Sequence, residues 1–487
     1  MFIGIDLGTT GVKIILVNAS GDVIAKTTES YPLSMPKPLW TEQNPEDWYN
    51  QTIKGLKKVV KGYEKDIEAI SFSGQMHGLV ILDNNDHVIR PALLWNDQRT
   101  TQEVRYLNET IGTDVLQQET GNIALTGLTA PKLLWVKNNE PALFQKIKKI
   151  MLPKDYLLYR LSGVFATDVS DISGSLFFDI KNKRYSQTML DVLNIKETQL
   201  PTVFESYEKV GHLLEEVKNI LQIHQPVKVI AGGGDQAVGA IGVGTVSPGK
   251  SSMSLGTSGV VYVATNKFQV DTQSHLQSYR DSTGHYLMMG VILNAAGSLK
   301  WWNEKIFKEH DYDKFFEELN YTSIADSLYF LPYLSGERAP INDSTAKGMF
   351  FGLQAHHEKG HMHRALVEGI TYALKESFDL IQNLGTQIVN IRITGGGAKS
   401  AIWAQMIADV MNVDVEVMSI DEGPALGAAI LAMVGNGTYP SVSVTCEKLL
   451  QVKETFYPIK DNVALYEKKY NVYKKLYETV KPLYNII

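Results

Sequence analysis

The chain has 487 residues, room for roughly three domains of about 150 residues or for two larger ones. Its 44% hydrophobic and 21% charged residues are ordinary for a globular protein and exclude disorder, collagen and coiled coil as its main state. Lys plus Arg number 47 against 53 Asp plus Glu, a net charge of −6, without the basic excess of a nucleic-acid binder. The single cysteine, Cys446, excludes an intrachain disulfide and a cysteine-based metal cluster, and suits a reducing compartment. The opening MFIGIDLGTT carries Asp6 and no basic-then-apolar leader, so no signal peptide is expected. The apolar stretch from Ala425 to Val434 falls short of the about 20 residues that a membrane span needs. A soluble cytoplasmic protein is expected, with no nucleic-acid partner and no membrane.

The first thirty residues read as three strands, Phe2 to Asp6, Gly11 to Val17 and Asp22 to Glu29, joined by tight turns into an antiparallel meander. A Pro-rich loop and a helix from about Pro45 to Gly62 follow. The strand Ile67 to Phe72 runs into the loop Ser73 to Gly78, and Val80 to Leu82 resumes as strand. From about Arg99 to Leu161 the chain reads as mostly helical. The strand Pro226 to Ile230 leads through Gly232, Gly233 and Gly234 to Asp235 and a small-residue helix. In the second half, helices are expected near Ala295 to Lys305, Arg364 to Leu384 and Ser400 to Met411. A strand from Ile388 to Thr394 enters Gly395-Gly396-Gly397. A last helix aligns Tyr466, Tyr470, Tyr473 and Tyr477 on one face, a packed stripe. Alternating strands and helices indicate an α/β fold.

One internal repeat stands out. Leu7-Gly-Thr-Thr-Gly-Val12 returns as Leu255-Gly-Thr-Ser-Gly-Val260, 248 residues later and in the same strand–turn–strand setting. A duplicated chain is expected, divided where Gly, Ser and Pro cluster near Gly244 to Gly249, giving domains 1–246 and 247–487. Gly-flanked turns expose backbone amides, and the hydroxyls of Thr9, Thr10, Thr257 and Ser258 add donors, a nest suited to phosphate oxygens. Two such loops facing across a cleft grip a polyphosphate from both sides. Asp6 precedes the first loop and Ser254 the second. One carboxylate near phosphates suggests magnesium held by a carboxylate and waters.

Three literal motif matches are decoys. Gly244 to Ser251 fits a P-loop pattern, but a helix precedes it and a strand follows, the reverse of what that motif needs. Gly232-x-Gly234-x-x-Ala237 is a lone dinucleotide-type match. His357-Glu-Lys-Gly-His361 fits a zinc-protease pattern, but Gly360 and the polar flanks suggest a solvated turn. Asp235, at a strand end and a helix N-terminus, is either a helix cap or an ionised group able to accept a hydroxyl proton. The three glycines before it favour close approach of a ligand. His77, between glycines at a strand end, is either a ligand contact or a loop histidine. Asp97 and Arg99 are either a surface ion pair or charges in a cleft. The turn Gly395 to Ser400 is either a tight connection or a place where a ring or phosphate meets backbone.

Together these pieces resemble the FGGY family of carbohydrate kinases, within the actin-like ATPase superfamily, over nearly the whole chain. GIDLGTTGVK is similar to the family's first phosphate loop, SLGTSG to the second and GGGAKS to the adenosine loop. Gly127 to Val136 resembles its first signature; Gly348 to Leu353 with His361 to Glu368 resembles its second. The segments SGQMHGLVILD, LLWNDQRT, LPKDYLLYRLSG, DVSDISGS, GGGDQAVGAIGVG and FLPYLSGERAP resemble members that act on D-xylulose. The resemblance implies two duplicated ribonuclease H-like domains with a nucleotide cleft between them, ATP and Mg²⁺ as partners of the reaction, and a sugar as acceptor. It implies that Asp235 is the general base, ionised at neutral pH given the usual Asp pKa near 3.9. It implies that Met76, His77 and Gln236 contact the ketose and that Asp6 acts at metal and phosphates. Thr9, Thr10, Gly256, Thr257, Gly396 and Gly397 then bind ATP. Homodimers occur in the family. Where such members often carry Asn, this chain has Gln236. Ribulose, gluconate or another polyol stays open as acceptor, as does a sugar-independent ATPase switch.

Overall fold

The computed structural model describes residues 1–487 apart from 274, 421, 485 and 487. The opening meander forms as β1 (Phe2–Leu7), β2 (Gly11–Val17) and β3 (Val23–Ser30). Helix α1 (Pro45–Val59) then crosses the sheet, its N-terminus capped by the Asn44 side chain and its apolar stripe of Trp48, Leu56 and Val59 buried. Next come β4 (Ala69–Gly74), β5 (Lys209–His212), β6 (Lys228–Ile230) and β7 (Gly233–Gly234). The sheet order is β5-β6-β4-β1-β2-β3, with β7 pairing beside β4. Strands β1, β4 and β6 run parallel at its centre. Between β4 and β5 the chain is mostly helical from residue 101 to 162, as its composition suggests.

The second sheet holds β8 (Lys250–Leu255), β9 (Gly259–Thr265), β10 (Gln277–Arg280), β11 (Tyr286–Ile292), β12 (Asn390–Thr394), β13 (Asp414–Met418) and β14 (Val452–Phe456). Its order is β10-β11-β9-β8-β12-β13-β14. The five strands β3-β2-β1-β4-β6 and the five strands β11-β9-β8-β12-β13 share order and direction. This is the duplicated α/β fold expected from the repeated Gly-Thr-Thr/Ser-Gly loops, which lie at the equivalent β1–β2 and β8–β9 turns.

Two helices join the sheets: α2 (Asp235–Gly242), which leaves β7, and α6 (Pro424–Asn436). Helix α6 is the apolar stretch too short for a bilayer. It is buried from Ala425 to Met433, packed on β1, β4 and α2. A helix that is apolar all round belongs in an interior. The approach is backbone to backbone. A Cβ on Gly4 of β1 would stand 2.0 Å from the Ala425 carbonyl oxygen, and one on Gly427 of α6 would stand 1.9 Å from that of Val238. Only glycine fits there. Beside α6, Glu422 bonds Lys13 of β2 at 2.6 Å and Lys26 of β3 at 2.7 Å. The remaining helices used below are α3 (Ala296–Lys300), α4 (Lys359–Asn383), α5 (Ala401–Met411) and α7 (Lys460–Tyr484). Tyr466, Tyr470, Tyr473 and Tyr477 of α7 are buried, the packed stripe read from their spacing. Among the described residues, no helix is long and apolar enough to cross a membrane.

Candidate active site

The first loop closes with a hydrogen bond from the Gly8 amide to the Gly11 carbonyl. Among the described residues no acceptor takes the amides of Thr9 or Thr10, and Thr10 is exposed. Polar side chains fasten the loop from below. Gln43 donates to the Thr9 carbonyl at 2.6 Å, and the Thr9 hydroxyl donates to Gln75 at 3.2 Å while accepting from Trp95 Nε1 at 2.9 Å. The Tyr31 hydroxyl donates to the Gly8 carbonyl. In the second loop the carbonyls of Gly256 and Thr257 accept from the amides that open α3, at 2.8–3.0 Å. The amides of Thr257 and Ser258 have no acceptor among the described residues, and Thr257 is exposed. Both loops are therefore rigid turns with unused donors, as a phosphate nest requires.

The turn at Gly395 lies against the second loop: a Cβ on Gly395 would be 3.2 Å from the Gly256 amide nitrogen. Within it Gly396 is exposed, whereas Gly397 is buried against Trp403 and Leu255. Ser400 caps α5, its hydroxyl accepting from the Trp403 amide.

A cavity of about 140 Å³ opens between the sheets, lined from one side by Thr9, Met76, His77, Trp95, Asp235 and Gln236. The other wall carries Ser258, Val260, Gln277, Met289, Val291 and Arg338. Asp235 is the first residue of α2, and Gln236 Nε2 donates to its Oδ1 at 3.3 Å. Its carboxyl is not simply ionised at neutral pH, as sequence reasoning has it. Burial, with the Asp6 carboxylate next in effect, raises its pKa from 3.8 to about 7, outweighing the helix N-terminus. The glycines before it also serve a different purpose from the one expected. A Cβ on Gly234 would meet Met76 Sδ at 2.9 Å, so here it is the protein's own methionine that approaches closely.

Asp6, at the end of β1, accepts from the Ser73 hydroxyl at 3.0 Å through one oxygen, and burial raises its pKa. His77 has a left-handed backbone, φ +68°, rare outside glycine. Its carbonyl accepts from Lys132 Nζ at 2.8 Å and from the Thr129 hydroxyl at 3.1 Å. Lys132 is fully buried and donates also to the Gly127 carbonyl at 2.6 Å. The first signature thus acts by holding His77. The His77 ring stands 2.9 Å from the Gly174 carbonyl through Nδ1, which must donate, so Nε2 keeps its lone pair. Burial, with Lys132 next, lowers its pKa to about 3, and the ring is neutral.

Sequence reasoning left Trp95, Gln277, Lys132 and Arg338 without roles, although each lies in or beside a segment that carried the resemblance or near the second loop. It left Asp97 and Arg99 between two alternatives, and neither holds. The pair is buried, bidentate at 2.8–3.0 Å, with Arg99 stacked on Trp40 at 3.8 Å, a structural link to the Thr41 amide. The HEKGH segment is no solvated turn either. Its His357 is nearly buried, and α4 starts at Lys359, before the expected Arg364. His357 and His361 accept the amides of Gln354 and Glu358 at Nδ1, so their protons sit on Nε2, facing Asp326 at 2.7 and 3.8 Å. Zinc needs a lone pair at that nitrogen and a donor at the other, so the histidines clamp the start of α4 instead.

The comparisons with known proteins agree. The N-terminal domain model of the FGGY family of carbohydrate kinases matches residues 1–242 and the C-terminal domain model residues 251–435. The chain is 40% identical to the xylulose kinase of Bacillus subtilis over 476 residues, 97% of this chain and 95% of that one. It is 38% identical to the xylulose kinase of Escherichia coli over 486 residues, 99% of this chain and 100% of that one. Among solved structures, a "xyloylose kinase" from Brucella ovis superposes with a TM-score of 0.94 at 34% identity, covering 99% of both chains. A gluconate kinase from Lactobacillus acidophilus superposes with a TM-score of 0.95 at 28% identity, covering 99% and 98%. With its duplicated sheets, its two amide-bearing loops and the polar cavity between them, the chain belongs to the FGGY family of carbohydrate kinases.

Proposed function

We propose that the enzyme transfers the γ-phosphoryl group of ATP to D-xylulose, giving D-xylulose 5-phosphate, in a cytoplasmic setting, with residues 1–246 and 247–487 as its two lobes. The observation that carries the reading is the convergence of Met76, His77, Asp235 and Gln236 in one cavity beside both amide-bearing loops. Asp235 is the general base. A carboxyl with a pKa of about 7 is well matched to accepting a hydroxyl proton near neutral pH. Gln236 orients the Asp235 carboxyl and reaches the sugar beside it. His77, neutral, offers Nε2 as an acceptor to a sugar hydroxyl, while Met76 supplies an apolar wall.

Thr9, Thr10, Gly256 and Thr257 hold the phosphates through backbone amides, and Gly396 and Gly397 form the turn toward adenosine. Positioning and charge stabilisation supply most of the rate in phosphoryl transfer. Asp6 fits magnesium of the carboxylate-and-water kind: one oxygen is held by Ser73, and no hydrogen bond engages the other among the described residues. Magnesium bound there offsets the negative charge of the phosphates. The Asp6 carboxylate also raises the proton affinity of Asp235.

The test is ADP release with ATP and Mg²⁺, first without sugar and then with D-xylulose, D-ribulose, L-ribulose, gluconate and glycerol in turn. Stimulation by D-xylulose above all others is expected. Preference for another acceptor corrects the substrate and keeps the chemistry. Steady sugar-independent hydrolysis overturns the kinase reading.

A further inference from the structure

Arg338 is a cation without a counter-ion in the sugar cavity. It sits on a short turn fixed to the end of β11, where the Ala339 amide donates to the Val291 carbonyl at 2.9 Å. The neighbouring carboxyl of Glu337 is spent elsewhere: its Oε1 accepts the amides of Leu293 at 2.6 Å and Arg338 at 2.7 Å, and its Oε2 is buried without a partner. No hydrogen bond or ion pair engages the Arg338 guanidinium among the described residues, yet it lines the cavity together with Asp235 and His77. It reaches across from the second sheet to the first signature, where a Cβ on Gly127 would stand 3.7 Å from its Nη2. The same wall carries Gln277, whose Oε1 is also buried without a partner. A guanidinium that lines a cavity and has no partner in the protein has the acceptor oxygens of a ligand as its natural partners.

Its place along the cavity follows from its neighbours. The Gly127 backbone that its Nη2 approaches is tied to His77, because Lys132 Nζ donates to the Gly127 carbonyl at 2.6 Å and to the His77 carbonyl at 2.8 Å. Arg338 therefore stands at the His77 end. A ketose whose terminal hydroxyl meets Asp235 brings its C1–C2 end there. At that end the groups divide by polarity: His77 Nε2 only accepts, and Arg338 only donates. A hydroxyl satisfies the first, and a carbonyl oxygen, which has no proton of its own, suits the second.

We propose that Arg338 is a specificity-determining residue, donating from the second lobe to the carbonyl oxygen of the acceptor ketose at the end away from the reacting hydroxyl. This rests on the sugar-kinase reading above. Wild type, Arg338→Met and Arg338→Lys are compared for the KM of D-xylulose, the Ki of xylitol (the same carbon chain with the carbonyl reduced) and the affinity of a fluorescent ADP. A charge-assisted hydrogen bond lost from a desolvated site costs roughly ten- to hundredfold. The Met variant is expected to raise the KM for D-xylulose at least about tenfold, to change the Ki of xylitol by less than about threefold, and to keep nucleotide affinity. The Lys variant is expected to fall between.

Equal losses for ketose and alditol, an unchanged KM, or a parallel fall in nucleotide affinity overturns the assignment. Thermal unfolding of each variant shows whether the fold survives; if Arg338→Met unfolds, the ketose-to-alditol ratio of Arg338→Lys decides. If wild type prefers another ketose, the D-xylulose reading falls, and the same ratio measured for that ketose and its alditol still decides Arg338. A wild type that turns over no ketose overturns both.

Discussion

The raised pKa of Asp235 ties activity and stability together with opposite signs. In the unfolded chain this carboxyl ionises near its ordinary 3.8, whereas in the fold it ionises at about 7. A carboxyl raised on folding lowers stability as pH rises, because the folded state resists losing the proton that the unfolded state has already lost. The cost begins near pH 4, grows through pH 5 and 6, and is complete above about pH 7. At about 1.4 kcal/mol for each tenfold change in proton affinity, it amounts to about 4 kcal/mol at pH 8. Asp235→Asn keeps the shape and removes the titration. The variant is expected to melt several degrees above wild type at pH 8, with a smaller advantage at pH 5. The same variant is expected to lose sugar-dependent ADP release by about 10²- to 10⁴-fold, the usual worth of a general base. In wild type, kcat/KM for the sugar is expected to fall below an apparent pKa near 7. Thermal melts at pH 5, 6.5 and 8, beside coupled ADP-release assays, measure both sides. Activity within about tenfold of wild type would refute the base assignment. An Asn variant less stable than wild type at pH 8 would refute the burial argument.

Asp6→Asn is expected to raise the Mg²⁺ concentration needed for half-maximal turnover and, in the Mg²⁺-free protein, to lower the pKa of Asp235, because the Asp6 charge helps raise it. A pH titration of the Asp235 carboxyl by NMR without Mg²⁺ checks the second effect, which a damaged phosphate loop alone would not produce. Lys132→Met deletes both hydrogen bonds that link the His77 and Gly127 carbonyls, and is expected to raise the KM for sugar at least about tenfold while the affinity for a fluorescent ADP stays near wild type. Gly427→Ala sets a Cβ 1.9 Å from the Val238 carbonyl oxygen. A contact between two backbones cannot relax by a rotamer change, so a loss of about 1–3 kcal/mol or more is expected in thermal or urea unfolding.

What the sequence made legible is what local geometry dictates. A strand, a Gly-x-x-Gly turn and a second strand can close in few ways, so both loops and their pairing across the duplication were readable from residues 7–12 and 255–260. Asp235 was readable because a strand running through glycines into a small-residue helix leaves that carboxyl at a helix start. Its proton affinity was not, since burial depends on side chains brought from elsewhere. Asp97 and Arg99 show the same limit: Trp40, Trp135 and the Thr41 amide, far from residue 97 in sequence, turn an ambiguous charge pair into an interior one. HEKGH kept its histidines but not their meaning, because the direction of two backbone amides decides which ring nitrogen holds the proton.

Lys132 carries this furthest. In sequence it is one lysine in an apolar helical stretch and invites a surface assignment. In the fold its side chain is fully buried and its amine spans two carbonyls, one of them belonging to a residue held at φ +68°. Burial lowers its pKa well below the ordinary lysine value, and its N–H donors serve both carbonyls. Strain of about 1–3 kcal/mol at a non-glycine left-handed residue persists only where its surroundings impose it. Here the first signature imposes it, and the return is a histidine that lines the cavity between the sheets with its Nδ1 fixed on the Gly174 carbonyl and its Nε2 left free to accept. A family signature whose Lys132 lies 55 residues from His77 thus shapes the cavity through one backbone carbonyl.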